Sequence, residues 1–409
     1  MELIEELVQH ENGVIPKNWA VRKLKDIAKI RRGASPRPID SPVWFDNKSS
    51  IGWLRISDVT KSKKYLLETG QNLSDPGVKA SRFVPNGSLV MSICATVGRP
   101  ILTRKNVCIH DGFVVFSDLK IDTEYLYYLL SNIENDWSKH GQTGSQMNLN
   151  TSLINSTPVP IPLNQIEQSV IASALSDTDA WIQSLTRLIE KKRQIKQGTL
   201  QQLLQPKENW LERKLGNVAT LKARIGWQGL TTSEYLNSGN YYLVTGTDFK
   251  NGYIDWENCH FVDEIRYKQD KNIQLKANDV LVTKDGTIGK VALVPSLNKP
   301  ATLNSGVFVI RPLNKTFDPI FFYYLLSSHY FIDFLNQLSA GSTINHLYQK
   351  DFVNFVFKTP PTLDEQVEIG RILFDMDIEI STLEKKLIKA QNIKQGMMQN
   401  LLTGRIRLI

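Results

Sequence analysis

Two stretches of this chain carry the same helical pattern, and that repetition limits the available folds more than anything else in it. From about Asn164 to Leu204, apolar or aliphatic-stemmed side chains fall at Ile171, Leu175, Thr178, Ile182, Leu185, Ile189, Lys192, Lys196, Thr199 and Leu203. Steps of four and three alternate, which is the 3.5-residue period of a coiled-coil seam. At about 1.5 Å per residue such a helix is a rod of roughly 60 Å, and its apolar stripe needs a partner. Shifted by 198 positions, the same steps fall at Ile369, Leu373, Met376, Ile380, Leu383, Leu387, Ala390, Lys394, Met397 and Leu401. The phrase Ile195-Lys196-Gln197-Gly198 returns as Ile393-Lys394-Gln395-Gly396, and Leu203-Leu204 as Leu401-Leu402. Asn164 with Glu167, and Thr362 with Glu365, have the spacing of capping boxes. Two such helices in one chain are expected to pair with each other, antiparallel. Gly198 and Gly396 each cost about 1 kcal/mol inside a helix; a close helix crossing, a docked partner or simple tolerance near a helix end would account for them.

The repeat extends beyond the helices. Asn18-Trp19 reappears as Asn209-Trp210, an offset of 191. The same offset carries Pro85–Ser92 onto Lys276–Thr283, and Thr96-Val97-Gly98-Arg99 onto Thr287-Ile288-Gly289-Lys290. Leu126–Ser131 matches Phe322–Ser327 at 196, a drift that small loop insertions explain. A repeat of this size decides the architecture: globule, helix, globule, helix. The expected domains are 1–160, a helix over 161–205, a second globule over 206–359 and a second helix over 360–409. Short apolar runs at Ser88–Ser92, Gly112–Phe116, Asp279–Thr283 and Gly306–Ile310 read as strands. Asp122–Asn135 and Asp318–Leu335 have helical spacing behind an acidic residue. Each globule is therefore expected to be α+β, with a curved or barrel-like sheet, and the two to be related by a pseudo-two-fold axis.

Composition narrows the function. The 409 residues carry a formal charge of +8, which favours a polyanionic partner such as nucleic acid, although a merely basic soluble protein has the same balance. Cys94, Cys108 and Cys259 are far apart and form no zinc pattern, so reduced thiols in the cytoplasm are expected. No apolar run reaches the ~20 residues of a membrane span, and Met1-Glu2-Leu3-Ile4-Glu5-Glu6 is too acidic for a signal peptide. There is no GxxxxGK[ST] loop, no glycine-rich dinucleotide fingerprint, no Asn-Pro-Pro-Tyr-like motif and no Pro-Asp dipeptide of the usual nuclease pattern. The six histidines lack metal spacing.

With its two-fold repeat, its proline-rich approaches to Asn164 and Thr362, its Gln-Gly-bearing helices and its Leu401-Leu402-Thr403-Gly404 ending, the chain resembles the specificity (S) subunit of type I restriction-modification enzymes over essentially its whole length. The resemblance implies that each globule is a target recognition domain reading half of a split DNA sequence. It also implies that the helices fix the spacing and dock two modification subunits. Methyl transfer from S-adenosylmethionine, ATP hydrolysis and Mg-dependent cleavage would belong to partner methyltransferase (M) and restriction (R) subunits, leaving no catalytic residue, metal or cofactor to this chain. The physical reading is compatible: two reading heads need major grooves about one helical turn, ~34 Å, apart, and a stiff spacer holds that separation. Globules that differ outside the framework imply two different half-sites. The rival is a coiled-coil adaptor that binds proteins and no DNA; a self-sufficient endonuclease is disfavoured by the missing motifs.

Candidate DNA contacts are basic or amide side chains on loops. Arg31, Arg32 and Arg37 lie in the breaker-rich stretch Arg31–Pro38, read as a loop, where arginine suits phosphates and the guanine edge. Lys61, Lys63 and Lys64 suit phosphates. Gln142, Ser145, Gln146 and Asn148 form the most attractive loop, because amides can contact adenine bidentately. Its counterpart holds Ser342, Thr343, Asn345 and His346. Asn148 and Asn345 could equally cap the turns that follow. Arg99, Lys284 and Lys290 flank glycine turns and could meet the backbone, while Gly98 and Gly289 read as turn glycines. Arg224, Gln228 and Lys250 are further candidates in the second domain.

Overall fold

The structure is a computed structural model; it describes residues 7–10, 13–139, 149–225, 229–294, 296–339 and 346–408. The two expected rods are present as α-helices of equal length, a central rod Gln165–Leu203 and a terminal rod Leu363–Leu401. The chain divides into two compact units, Met1–Thr186 with Lys386–Ile409, and Arg187–Lys385. Each unit therefore contains one globule, half of the central rod and the antiparallel half of the terminal rod.

In the first unit the strand order of the main sheet is Lys29–Arg32, Phe113–Ser117, Leu89–Ser92, Pro100–Thr103, Tyr65–Leu66. All neighbours are antiparallel except the last pair. A smaller sheet sets Val107–Ile109 between a parallel Gly52–Leu54 and an antiparallel Arg82–Val84. The second unit repeats this with Ala219–Lys222, Val307–Pro312, Val280–Thr283 and Val291–Leu293, all antiparallel. Its smaller sheet runs His260–Val262, Tyr241–Val244, Ala301–Leu303. Strands such as Leu89–Ser92 and Val280–Thr283 are buried along their whole length, which is why they read as unbroken apolar runs. In each globule an early strand pairs with the strand leading to a rod: Trp19–Lys23, which follows the hairpin Leu7–His10 and Gly13–Pro16, with Pro158–Pro162, and Leu211–Lys214 with Val356–Thr359.

The helix Thr123–Asn132 is capped by Asp122, whose Oδ1 accepts from Tyr125 N at 2.8 Å. Asp318 does the same for Pro319–Leu326, accepting from Phe321 N at 2.8 Å. The single helix expected over 318–335 is two, Pro319–Leu326 and His329–Leu338. The Ser327 and Ser328 hydroxyls donate to the Tyr323 and Leu325 carbonyls, at 2.8 and 2.6 Å, and this local bonding competes with helix continuation.

The rods bury the seam in halves. Ile171, Leu175, Thr178, Leu185 and Ala390 are buried in the first unit, and Ile189, Ile369, Leu373 and Ile380 in the second. Where lysine occupies the seam, its partner is a carboxylate on the opposite rod: Lys192 to Glu379 at 2.7 Å in the second unit, Lys394 to Asp179 at 2.7 Å in the first. Asn164 and Thr362 do cap, accepting from Ile166 N at 2.9 Å and Glu365 N at 3.3 Å. The capping boxes, however, are not formed by the glutamates. Glu167 is fully buried and receives Trp19 Nε1 at 3.3 Å and Arg407 Nε at 2.8 Å; Glu365 pairs with Lys207 at 2.9 Å. At Glu167 a tertiary cation outcompetes the local backbone amide because the carboxylate is held away from water; Glu365 and Lys207 form a more solvated pair. The neighbouring glutamines have a task that escaped the sequence reading. Gln168 donates to Pro162 O at 2.8 Å and accepts from Asp122 N at 2.9 Å, and Gln366 does likewise with Pro360 O at 3.0 Å and Asp318 N at 2.9 Å. Among the described residues a Cβ added at Gly198 or Gly396 would meet nothing within 4 Å, so no close crossing there explains these glycines. All three cysteines are free thiols. Among the described residues no helix is long and apolar enough to cross a membrane.

Candidate nucleic-acid interface

One construction recurs in both globules. A tight turn leaves a buried strand, and the backbone amide of a later residue is bonded to it. In the first, Ser92 Oγ donates to Thr96 O, Gly98 N donates to Ser92 O at 2.8 Å, and Gly98 has φ +82°. In the second, Thr283 Oγ1 donates to Thr287 O at 2.6 Å, Gly289 N to Thr283 O at 2.9 Å, and Gly289 has φ +79°. The turn glycines are thus required by a left-handed backbone and by contact: a Cβ at Gly98 would sit 2.2 Å from the Trp137 ring, and one at Gly289 2.3 Å from Leu335. Leu149 N donates to Ile93 O at 2.9 Å, and Leu347 N to Lys284 O at 2.8 Å. Leu149 and Leu347 are therefore pinned to the turns. The candidates Gln142, Ser145, Gln146, Asn148, Ser342, Thr343 and Asn345 lie outside the described residues, as does Gln228. The cap in the first globule is Asn150, accepting from Leu153 N at 2.7 Å.

Around the first turn the structure gathers cations. Arg99 donates to Ser62 O at 3.2 Å, which places it beside the exposed Lys61 and Lys63. A second group surrounds Asp111. Arg32 Nε donates to Asp111 O at 2.6 Å, Arg37 lies 3.6 Å from its carboxylate, and Arg82 Nε donates to Arg32 O. The Ser35 hydroxyl, bonded to Asp111 at 2.7 Å, holds that carboxyl below its ordinary range, with burial opposing and the nearby His110 and Arg32 assisting. Asp111 thus stays ionised and organises cations that would otherwise repel one another. Arg82 and Asp111 sit on an edge strand and at a strand–strand turn, and neither position has a compositional signal in the sequence.

In the second globule Lys284 lies over the Phe308 ring at 5.5 Å, Lys290 is exposed, and His346 Nδ1 contacts the Asp285 carboxylate at the tip of the turn. Turn and His346 are linked side chain to side chain there, at the position where the first globule has Cys94.

A sequence profile of the type I restriction modification DNA specificity domain matches residues 16–197 and again 207–392. The chain belongs to this specificity-domain family. Relatives of similar length include a putative type I restriction enzyme MjaX specificity subunit of Methanocaldococcus jannaschii, 26% identical over 99% of this chain and 97% of its own. The type I restriction enzyme EcoBI specificity subunit of Escherichia coli is 22% identical, over 99% and 90%. Among solved structures, the S subunit of a type I restriction-modification system from M. genitalium superposes with a TM-score of 0.62 at 17% identity, covering 98% of this chain and 99% of that one. A structure described as showing complex assembly and conformational transition of the type I R-M system gives 0.54 at 15%, covering 96% and 99%.

Within these specificity domains four candidates need correction. Arg31 and Arg32 are not in a loop; they end the edge strand Lys29–Arg32, opposite Val115 and Val114, because the apolar partner strand extends past the breaker residues. Arg31 still projects into solvent, at a register that Lys222 takes in the second specificity domain. Lys64 is only 4% exposed, its ammonium held by Glu124 (2.8 Å), Ser176 (3.0 Å) and Tyr128 Oη (3.1 Å), so it cannot reach a phosphate. Burial would raise the Glu124 carboxyl, but hydrogen bonds from Lys64 and Tyr65 bring it below its ordinary value. Arg224 is also buried, donating to Leu303 O at 2.9 Å and to Gln269 at 3.1 Å; desolvation lowers its pKa. Lys250 pairs with Asp255 at 3.2 Å beside a cleft of about 890 Å³ that Arg193, Lys196 and Tyr324 also line, away from the turn.

Proposed function

We propose that this chain is the DNA-reading subunit of a type I restriction-modification complex, in which each specificity domain reads one half of a bipartite, asymmetric target. The observation that carries the reading is the duplicated turn, with a later backbone amide pinned to it, identical in backbone role but unlike in side chains: Ser92-Ile93-Cys94-Ala95 against Thr283-Lys284-Asp285-Gly286. Two copies of one scaffold bearing different polar groups suit two different half-sites. Arg31, Arg32, Arg37, Lys61, Lys63, Arg99, Lys284 and Lys290 would supply phosphate and base-edge contacts. The amide-rich stretches 141–148 and 341–346 would supply base readout. The rods would dock two methyltransferase subunits. Methyl transfer from S-adenosylmethionine, and ATP- and Mg-dependent cleavage, would reside on those subunits and on restriction subunits.

The test is selection from random duplexes by the purified chain in complex with its methyltransferase subunit. Enrichment of a split motif with unlike halves is expected. Absence of any enriched motif, or binding insensitive to salt, would overturn the proposal in favour of a protein-binding adaptor.

A further inference from the structure

Each recognition domain meets its helix pair at a three-way junction, and the two junctions use corresponding residues with the rods exchanged. In the first unit Asp179 of the central rod receives Lys394 of the terminal rod at 2.7 Å and the Tyr128 hydroxyl of the domain helix at 2.8 Å. In the second unit Asp377 of the terminal rod receives Lys196 of the central rod and the Tyr324 hydroxyl at 2.6 Å. Both aspartates are 17% exposed, so these are not the solvated surface pairs that contribute little. Each lysine also faces the ring of its tyrosine, at 5.8 and 5.4 Å. Seventeen residues separate Asp179 from Lys196 on one rod and Asp377 from Lys394 on the other.

A second tether lies eleven residues earlier on each rod, where Gln168 and Gln366 hold the backbone that starts the tyrosine-bearing helix. Eleven helical residues span ~16 Å. One tether leaves a domain free to swivel; two tethers that far apart define a direction.

The junctions differ in their surroundings. In the first, Lys64 adds a buried ammonium bridging Glu124, Tyr128 and Ser176 of the rod. Its equivalent in the second is Gly252: Lys64 O accepts from Leu102 N, and Gly252 O accepts from the matching Leu293 N. Glu124 corresponds to Ile320 and Ser176 to Phe374, so Lys64 and two of its three polar partners are replaced, and only the tyrosine is kept, as Tyr324. The pose of the second domain rests more heavily on Asp377 and Tyr324.

We propose, resting on the function above, that Asp179 and Asp377 are positioning residues for target spacing. By fixing each recognition domain in one pose on its own helix pair, they restrict the number of base pairs tolerated between the half-sites, and Asp377 carries the larger share. One added base pair displaces a half-site by ~3.4 Å and turns it by about a tenth of a helical turn. A domain freed to swivel absorbs that change.

The test uses the chain in complex with its methyltransferase subunit, on duplexes with fixed half-sites and spacers one base pair shorter or longer than optimal. Tyr324→Phe and Asp377→Asn are compared with Tyr128→Phe and Asp179→Asn, and melting temperatures are measured in parallel. Tyr324→Phe is expected to reduce discrimination against the altered spacers about tenfold, with half-site base preference unchanged, and Tyr128→Phe to do so less. Retention of wild-type spacing discrimination by Tyr324→Phe, or a change of preferred bases, would overturn the inference. Failure of the wild-type complex to select any split motif would overturn the proposed function instead, a separate result.

Discussion

Replacing Arg407 by alanine removes the cation that holds the most deeply buried carboxylate of the first unit. Glu167 is completely buried; Arg407 meets it with two parallel bonds, Nε at 2.8 Å and Nη2 at 2.9 Å, and Trp19 Nε1 adds a third at 3.3 Å. In Arg407→Ala the indole remains and the charge is stranded. Uncompensated burial of one partner of such a pair costs roughly 3–5 kcal/mol, against a total stability of about 5–15 kcal/mol for a folded domain. For a unit of about 200 residues each kcal/mol lowers the melting temperature by about 2–4 °C, so a fall of roughly 6–20 °C is expected. Calorimetry of the full chain should show it. The double variant Glu167→Gln/Arg407→Ala removes both charges and keeps an acceptor for Trp19, and should recover at least half of the loss. A single variant that melts within 2 °C of wild type, or a double variant no more stable than the single, would refute the argument that the pair matters through its burial.

Other outcomes follow from the same geometry. Lys64→Met should leave the salt dependence of DNA binding unchanged while destabilising the first unit, as measured by thermal melting and salt titration. The folded-state pKa of Glu124 is depressed, so its contribution is full above the ordinary carboxylate value of 4.5 and is lost as pH falls below it; Lys64→Met should flatten that acid limb. Arg31→Ala and Lys63→Ala should each reduce the slope of log affinity against log salt by about one, uniformly across sequences; a change confined to one base position would show direct readout instead. Gly98→Ala imposes a left-handed backbone on alanine, about 1–2 kcal/mol, and drives a methyl into the Trp137 ring, so it should destabilise by more than that, as a urea midpoint would show.

The rods were legible because their seam is periodic over ten positions and duplicated, and periodicity is a one-dimensional signal. The duplicated glycine turns were legible for the same reason: Gly98 and Gly289 recur at one offset, and a backbone of positive φ tolerates little else. Arg224 and Lys64 were misjudged because a lone basic residue in a polar stretch has no local mark of burial. What neutralises it comes from Leu303 and Gln269 in one case, and from Glu124 and Ser176 in the other. Glu167 failed similarly, since its local amide partner lost to an arginine 240 residues away.

From its letters alone, then, this chain determined two pairing helices, two homologous globules and a family resemblance, all properties of repetition and period. The fold alone decided which cations remain in solvent, which are consumed in buried junctions, and that Asp179 and Asp377 each take a lysine from the opposite rod. Those outcomes depend on desolvation and on distances between segments far apart in sequence, and neither quantity is written in local order.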